Sequence, residues 1–326
     1  LVRKHLNAFR GNQRYFDRVM PQMALYLPHI LTELEERDAP LELAFLPLIE
    51  SGYNPAARAP SGGIAGMWQF TRGTGDALGI PRNSWYDGRF DAIVSTRSAA
   101  DYLTDLRENF AGDWLLAIAA YNCGARTVSD ALVRGRQQGK KGDFWSLQLN
   151  GRARDYVPEL LALAEIFRHP ERYDIELPVF ADEPLLEAVT IDQPLSLKQA
   201  AELADIEVNT LRRLNPAYLR GVIPASGTYQ LLLPTGTRNL FELALAASAP
   251  ESLRSAAAGI APATSVISKD RSNLEYRVKR GDTLSTIAHR HRVSVADVKV
   301  RNQLAADFLP VGKVLKIPGR PASHTR

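Results

Sequence analysis

A single cysteine, Cys123, stands among the 326 residues, which excludes an internal disulfide and any cysteine-rich metal site. No run of 18 apolar residues occurs and no short apolar signal core opens the chain, so nothing reads as a membrane-spanning helix. Leu1 stands where an initiator methionine would, and the expectation is that residues before it have been removed. Net charge is scarce as well: 40 Lys and Arg against 36 Asp and Glu leave +4. With no basic stripe and interleaved aromatics in the first 180 residues, nucleic acid is not expected as a partner. Histidines do not cluster; His289 and His291 are two apart and would face different sides of a helix, so neither a metal nor another cofactor is expected.

What is present describes an ordinary globular chain of two or three domains, 45% hydrophobic and 23% charged. No alternating strand pattern appears before Tyr173, where a helical domain is expected to close. Residues 1–38 read as a helical arm interrupted at Pro21 and Pro28. Asp91 to Phe110 has the spacing of an amphipathic helix, and Trp114 to Tyr121 is apolar on all sides, as a central buried helix would be. Asn122 and Gly124 are expected to end it, and Asp155 to Phe167 reads as a further helix.

One carboxylate is placed with unusual neighbours. A nearly unbroken apolar run from Leu41 ends at Ile49 and delivers Glu50, whose partial burial would make it hold its proton to higher pH, as a general acid must. Pro55, Pro60, Gly62, Gly63 and Gly66 then prevent a continuous helix and return Met67-Trp68-Gln69-Phe70 toward the acid. Gln69 can both donate and accept hydrogen bonds to a sugar, and Trp68 and Phe70 either stack on one or fill the core.

Glu50-Ser51, Ser61-Gly62, Gly66-Met67-Trp68-Gln69 and Ala120-Tyr121-Asn122-x-Gly124 together resemble the lysozyme-like catalytic domain of lytic transglycosylases. Tyr86-Asp87-Gly88-Arg89, Gly112-Asp113-Trp114, Asp143-Phe144-Trp145 and Tyr156-Val157-Pro158 extend the match; Cys123 departs from the family's usual Ala, a small change a thiol should fit. The resemblance implies that Glu50 protonates the bond between N-acetylmuramic acid and N-acetylglucosamine, then takes the proton of the muramyl C6 hydroxyl as a 1,6-anhydro ring closes. It also implies that Ser51, Ser61, Gln69, Tyr121, Asn122 and Tyr156 orient the acid and hold substrate, with Met67 and Trp68 lining the wall. A goose-type lysozyme would hydrolyse the same bond and needs a second carboxylate, for which Asp76 or Asp91 could be put forward although no motif places either. A non-catalytic wall-binding protein would lack the acid.

Beyond Pro178 the composition shifts and a repeat appears. Val189–Asn215 aligns without a gap to Tyr276–Asn302, pairing Ile191 with Val278, Leu211 with Val298 and Asn215 with Asn302, and both copies end on similar strands, Leu231-Leu232-Leu233 and Leu315-Lys316-Ile317. Each reads as strand, helix, turn, helix, strand. The second, with Gly281-Asp282-Thr283, resembles a LysM domain, a module that binds N-acetylglucosamine-containing glycans; the first is a divergent copy with Pro194-Leu195-Ser196 at the equivalent turn. The expected architecture is a mostly α lysozyme-like domain followed by two small α+β LysM-type modules. Its parts are an arm at 1–38, the catalytic domain at 39–177, modules at 186–236 and 274–319, and an Ala, Ser and Pro-rich linker at 237–273. Peptidoglycan glycan strands are the implied partner, with no protein partner indicated. Export to the periplasm is implied too, with an outer-membrane anchor on a preceding segment compatible with it.

Overall fold

The computed structural model describes residues 1–60, 62–180, 183–224, 227–248, 274–278, 287, 298, 301–302 and 313–317. The chain forms two compact units, Leu1–Arg254 and Ser255–Arg326.

The first unit opens with α1 (Val2–Phe9) and α2 (Gln13–Glu35). Pro21 and Pro28 lie inside α2 without ending it. Each proline costs the helix about 3 kcal/mol. Burial of Phe16, Met20, Met23, Ile30 and Leu34 in the main core, at roughly 1.5–3 kcal/mol per side chain, outweighs that. The helices expected as an arm therefore share one hydrophobic core with those that follow.

A 3-10 turn, Leu41–Phe45, leads into the short α3 (Leu46–Ser51), whose Leu46, Pro47 and Leu48 are buried. Left-handed Gly52 and Tyr53 end it, and Tyr53 is held there by its hydroxyl on the Ala44 carbonyl at 2.6 Å. A two-stranded hairpin follows that the sequence does not announce, β1 (Ile64–Ala65) paired with β2 (Phe70–Thr71), then α4 (Arg72–Ala77). Asp91 caps α5 (Ala92–Asn109), and Asp113 caps the buried α6 (Trp114–Cys123). Gly124 ends α6 with φ 88° and an extended ψ of 140° in place of a left-handed cap, and the chain turns at once into α7 (Ala125–Gln137). The long α8 (Gly151–Arg168) closes the helical part, which ends in a 3-10 turn at Pro170–Tyr173.

The first LysM-like module follows, with β3 (Leu186–Ile191), β4 (Leu195–Ser196), α9 (Leu197–Leu203), α10 (Val208–Leu214), β5 (Val222–Ile223) and β6 (Tyr229–Pro234). β3 pairs antiparallel with β6 and β4 with β5. Where a linker was expected from 237, α11 (Arg238–Ser248) forms instead and buries Phe241 against the module. Residues 249–273 lie outside the described set.

In the second unit β7 (Leu274–Arg277) pairs antiparallel with β8 (Val314–Ile317) around buried Val278, Ile287, Val298, Leu315 and Ile317. The repeat alignment is visible in its hydrogen bonds. Asn215 donates to the Leu211 and Leu232 carbonyls and accepts from the Leu232 amide at 2.8–3.0 Å. Asn302 does the same with Val298 and Lys316 at 2.7–2.9 Å. The Gly281-Asp282-Thr283 turn and both histidines of the second copy lie outside the described residues.

Candidate active site

Glu50 occupies the last turn of α3, half-buried beneath α8. Tyr156 of α8 donates its hydroxyl to Glu50 Oε1 at 2.5 Å. Burial pushes the carboxyl above the ordinary glutamate range, while the Tyr156 hydrogen bond and the Arg152 charge pull the other way and Glu159 adds to the rise. Burial and the nearby Glu50 hold the Tyr156 and Tyr121 hydroxyls well above the usual tyrosine value, so both remain donors. Arg152 lies one turn before Tyr156 and donates to the Ile49 carbonyl at 3.3 Å.

The Gly66–Phe70 loop comes back to this point as its composition suggests, and the two expected polar residues hold it by its backbone. Ser51 Oγ donates to the Met67 carbonyl at 2.8 Å, and Tyr121 donates to the Trp68 carbonyl at 2.7 Å. Met67 and Trp68 themselves are 0% and 1% exposed, with the Trp68 indole N–H on Thr96 at 2.9 Å. These side chains face the core, which corrects the expectation that they line the wall: their apolar bulk is buried and their carbonyls are what the loop offers to its neighbours. Gln69 sits in the left-handed region at φ 51°, half-buried, with Nε2 on the Gly66 carbonyl at 2.7 Å and Oε1 without a partner among the described residues. Asn122 is half-buried in the last turn of α6, one residue beyond Tyr121, and its side chain makes no hydrogen bond among the described residues. Cys123 fits as expected, half-buried with its thiol on the Ala119 carbonyl. Ser61 lies outside the described residues.

Sequence reasoning gave Arg89 no role. It is 4% exposed, grips Asp87 through two hydrogen bonds of 2.7 and 3.0 Å, and sends Nη1 to the Gly63 and Phe70 carbonyls at 3.1 and 3.3 Å. The Tyr86-Asp87-Gly88-Arg89 segment thus clamps both arms of the hairpin. In the sequence the segment stands out only as one of the motifs that carry the family resemblance, with nothing that points to a clamp. The two carboxylates put forward as partners for hydrolysis are both committed elsewhere. Asp91 accepts from the Ile93 and Val94 amides and the Tyr86 hydroxyl at 2.8–3.0 Å, and Asp76 pairs with Arg82 at 3.1 Å. Among the described residues no cluster of His, Cys, Asp and Glu could hold a metal.

An acid raised by burial, donated to by a tyrosine and set beside a clamped Gly-framed loop, on a helical lysozyme-like domain followed by LysM modules, defines the lytic transglycosylase class. Sequence comparison agrees: residues 30–144 match the transglycosylase SLT domain, 186–249 the LysM-like domain of the lytic transglycosylase MltD, and 276–318 the LysM domain. The chain is 32% identical over 319 residues to membrane-bound lytic murein transglycosylase D of Escherichia coli K12, covering 97% of this chain and 68% of that protein. It belongs to that family. A putative tributyltin chloride resistance protein of an Alteromonas species is 43% identical over 107 residues, 33% of this chain and 51% of its own. Among solved structures, the 70 kDa soluble lytic transglycosylase of Escherichia coli overlaps 44% of this chain and 24% of its own, at 20% identity and a TM-score of 0.35.

Proposed function

We propose that Glu50 serves twice in a cleavage that uses no water. It first gives its proton to the β-1,4 glycosidic oxygen between N-acetylmuramic acid and N-acetylglucosamine. As carboxylate it then takes the muramyl C6 hydroxyl proton while that oxygen closes onto C1, leaving a 1,6-anhydromuramyl end. As a member of its family the chain is a peptidoglycan lytic transglycosylase with LysM-type wall-binding modules; the proposal concerns the chemistry and the residues that carry it.

The observation that carries the reading is the 2.5 Å hydrogen bond from Tyr156 to a half-buried Glu50, whose proton affinity the charge of Glu159 on α8 raises further. Burial keeps the proton on for the first step, and the tyrosine donor stabilises the carboxylate that the second step requires. In this reading Gln69 Oε1 and the Asn122 amide contact the substrate's acetamido groups. Ser51 and Tyr121 act by holding the loop, Met67 and Trp68 support it from behind, and Ser61 remains a candidate contact. The reading includes export to the periplasm with a membrane anchor. The Escherichia coli relative is described as membrane-bound, and no helix among the described residues is long and apolar enough to cross a membrane.

Digestion of purified sacculi in heavy-oxygen water tests the chemistry. Anhydro ends without label are expected; labelled reducing ends as the main product would show hydrolysis and reject the two-step role of Glu50.

A further inference from the structure

A cavity of about 880 Å³ opens beside the candidate active site, walled by α2, the end of α3, α8 and the first LysM-like module. Glu50 does not line it, but Ile49 and Ser51 on either side of Glu50 do. Glu159, which also lines it, stands one helical turn beyond Tyr156 on α8, and residues three apart share a helix face. Along α8 Glu159 is therefore roughly 4.5 Å of helix rise from Tyr156, the residue whose hydroxyl donates to the catalytic acid.

Its charges are unspent. Arg18 enters from α2 and Arg213 from α10. Neither guanidinium has a carboxylate partner among the described residues. Arg18 lies over the Tyr15 ring at 5.7 Å, and Arg213 uses one N–H on Thr210 at 2.9 Å. Half-buried Glu159 makes no hydrogen bond or ion pair among the described residues. A neutral glycan needs none of these three charges. The peptide stems of peptidoglycan carry several carboxylates and, where diaminopimelate is present, one ammonium, and they hang from the same muramyl residue whose bond Glu50 faces.

We propose that this cavity binds the peptide stem of the strand being cut, with Arg18 and Arg213 taking carboxylates and Glu159 the ammonium. The proposal rests on the reading of the chain as a peptidoglycan lytic transglycosylase. It makes the first LysM-like module one wall of a stem-binding site, so the enzyme senses whether the strand bears peptides. Occupancy would also place an ammonium against Glu159, the same carboxylate whose charge raises the proton affinity of Glu50.

The probe is the N-acetylated tetrapeptide N-acetyl-L-alanyl-γ-D-glutamyl-diaminopimelyl-D-alanine, titrated calorimetrically into the full chain carrying Glu50→Gln. The titration is repeated with Arg18→Gln and Arg213→Gln added singly and together; both side chains are exposed, so the fold should survive. Each substitution removes a charge-assisted contact and is expected to weaken binding about tenfold. In the active enzyme the preference for stem-bearing over amidase-stripped glycan, read as the ratio of the two kcat/KM values, should fall by about the same factor. An undiminished affinity in the double variant, or no binding of the tetrapeptide at millimolar concentration, overturns the proposal. Because the titration needs no turnover, a chain that binds the peptide but yields no anhydro product would reject the catalytic reading and leave this one standing.

Discussion

At Glu50 the folded protein bears a cost that the chemistry uses. The carboxyl binds its proton more tightly folded than unfolded, so between the ordinary glutamate value and its own raised value the native state holds more protons than the unfolded chain. Stability then falls as pH rises through that window and stays lower above it. Glu50→Gln removes the ionisation while leaving a carbonyl that still accepts from Tyr156. Two results are expected together: loss of roughly 10²- to 10⁴-fold in kcat, toward the upper end because one group serves both proton transfers, and a Tm that exceeds wild type at neutral pH. The Tm difference should shrink to nothing as pH drops below about 4. A variant that keeps more than about a tenth of the activity, or a Tm difference that does not change with pH, would sink the assignment.

At the level of elements, the site depends on how the hairpin loop is gripped. Gly66 has φ 85°, and a Cβ built there would lie 1.7 Å from the Arg89 carbonyl oxygen, inside the clamp that fixes the hairpin. Gly62, just before β1 at φ 69°, has nothing within 4 Å. Gly66→Ala should therefore cost about 2–4 kcal/mol and abolish turnover, whereas Gly62→Ala should cost about 1 kcal/mol from backbone strain alone. Urea denaturation of both variants checks this, and equal losses would show that the close approach to Arg89 does not matter.

The same elements show how far the sequence reaches. Glu50 at the end of an apolar run, the capped helices after Asp91 and Asp113, and the repeat with its two asparagines are local patterns, legible because each lies within one element or one periodicity. The clamp is not legible, since Arg89 finds its carbonyl partners 19 and 26 residues away. Nor could composition decide whether Met67 and Trp68 face a ligand or the core, because an apolar side chain suits both. Pro21 and Pro28 read as breaks because propensity is local, while the burial that keeps α2 whole comes from distant partners. Phe241 hid α11 in a similar way, being one aromatic at the head of a stretch that otherwise reads as linker.

At the scale of the whole molecule, the first LysM-like module is joined to the catalytic part. The loop after α10 in the first module is occupied by the catalytic part: Tyr86 bridges Tyr218, the Asp87 amide reaches the Ala217 carbonyl at 3.0 Å, and the Leu219 amide reaches the Trp85 carbonyl at 2.8 Å. Tyr86 also packs on Tyr218 and Tyr229 with ring centroids 5.4 and 5.0 Å apart, and Tyr86 and Phe90 belong to the module's own core. Charge separates the two LysM-type modules. Residues 186–234 hold four basic and five acidic side chains, whereas 274–320 hold ten basic and four acidic. Peptidoglycan bears carboxylates on its stems, so long-range attraction should favour the second module and weaken with salt. The first is expected to serve mainly as a cap on the catalytic part, contributing at most the local stem contact through Arg213. Sacculus pull-down across a salt series checks the division, using the full chain, a fragment ending at Ser248 so that α11 stays with its module, and residues 272–326 alone, with Glu50→Gln in the first two. Most of the affinity should follow 272–326 and decline as salt rises. Binding of the fragment ending at Ser248 as tight as that of the full chain, or no binding by 272–326, would show that the wall is held by the first module instead.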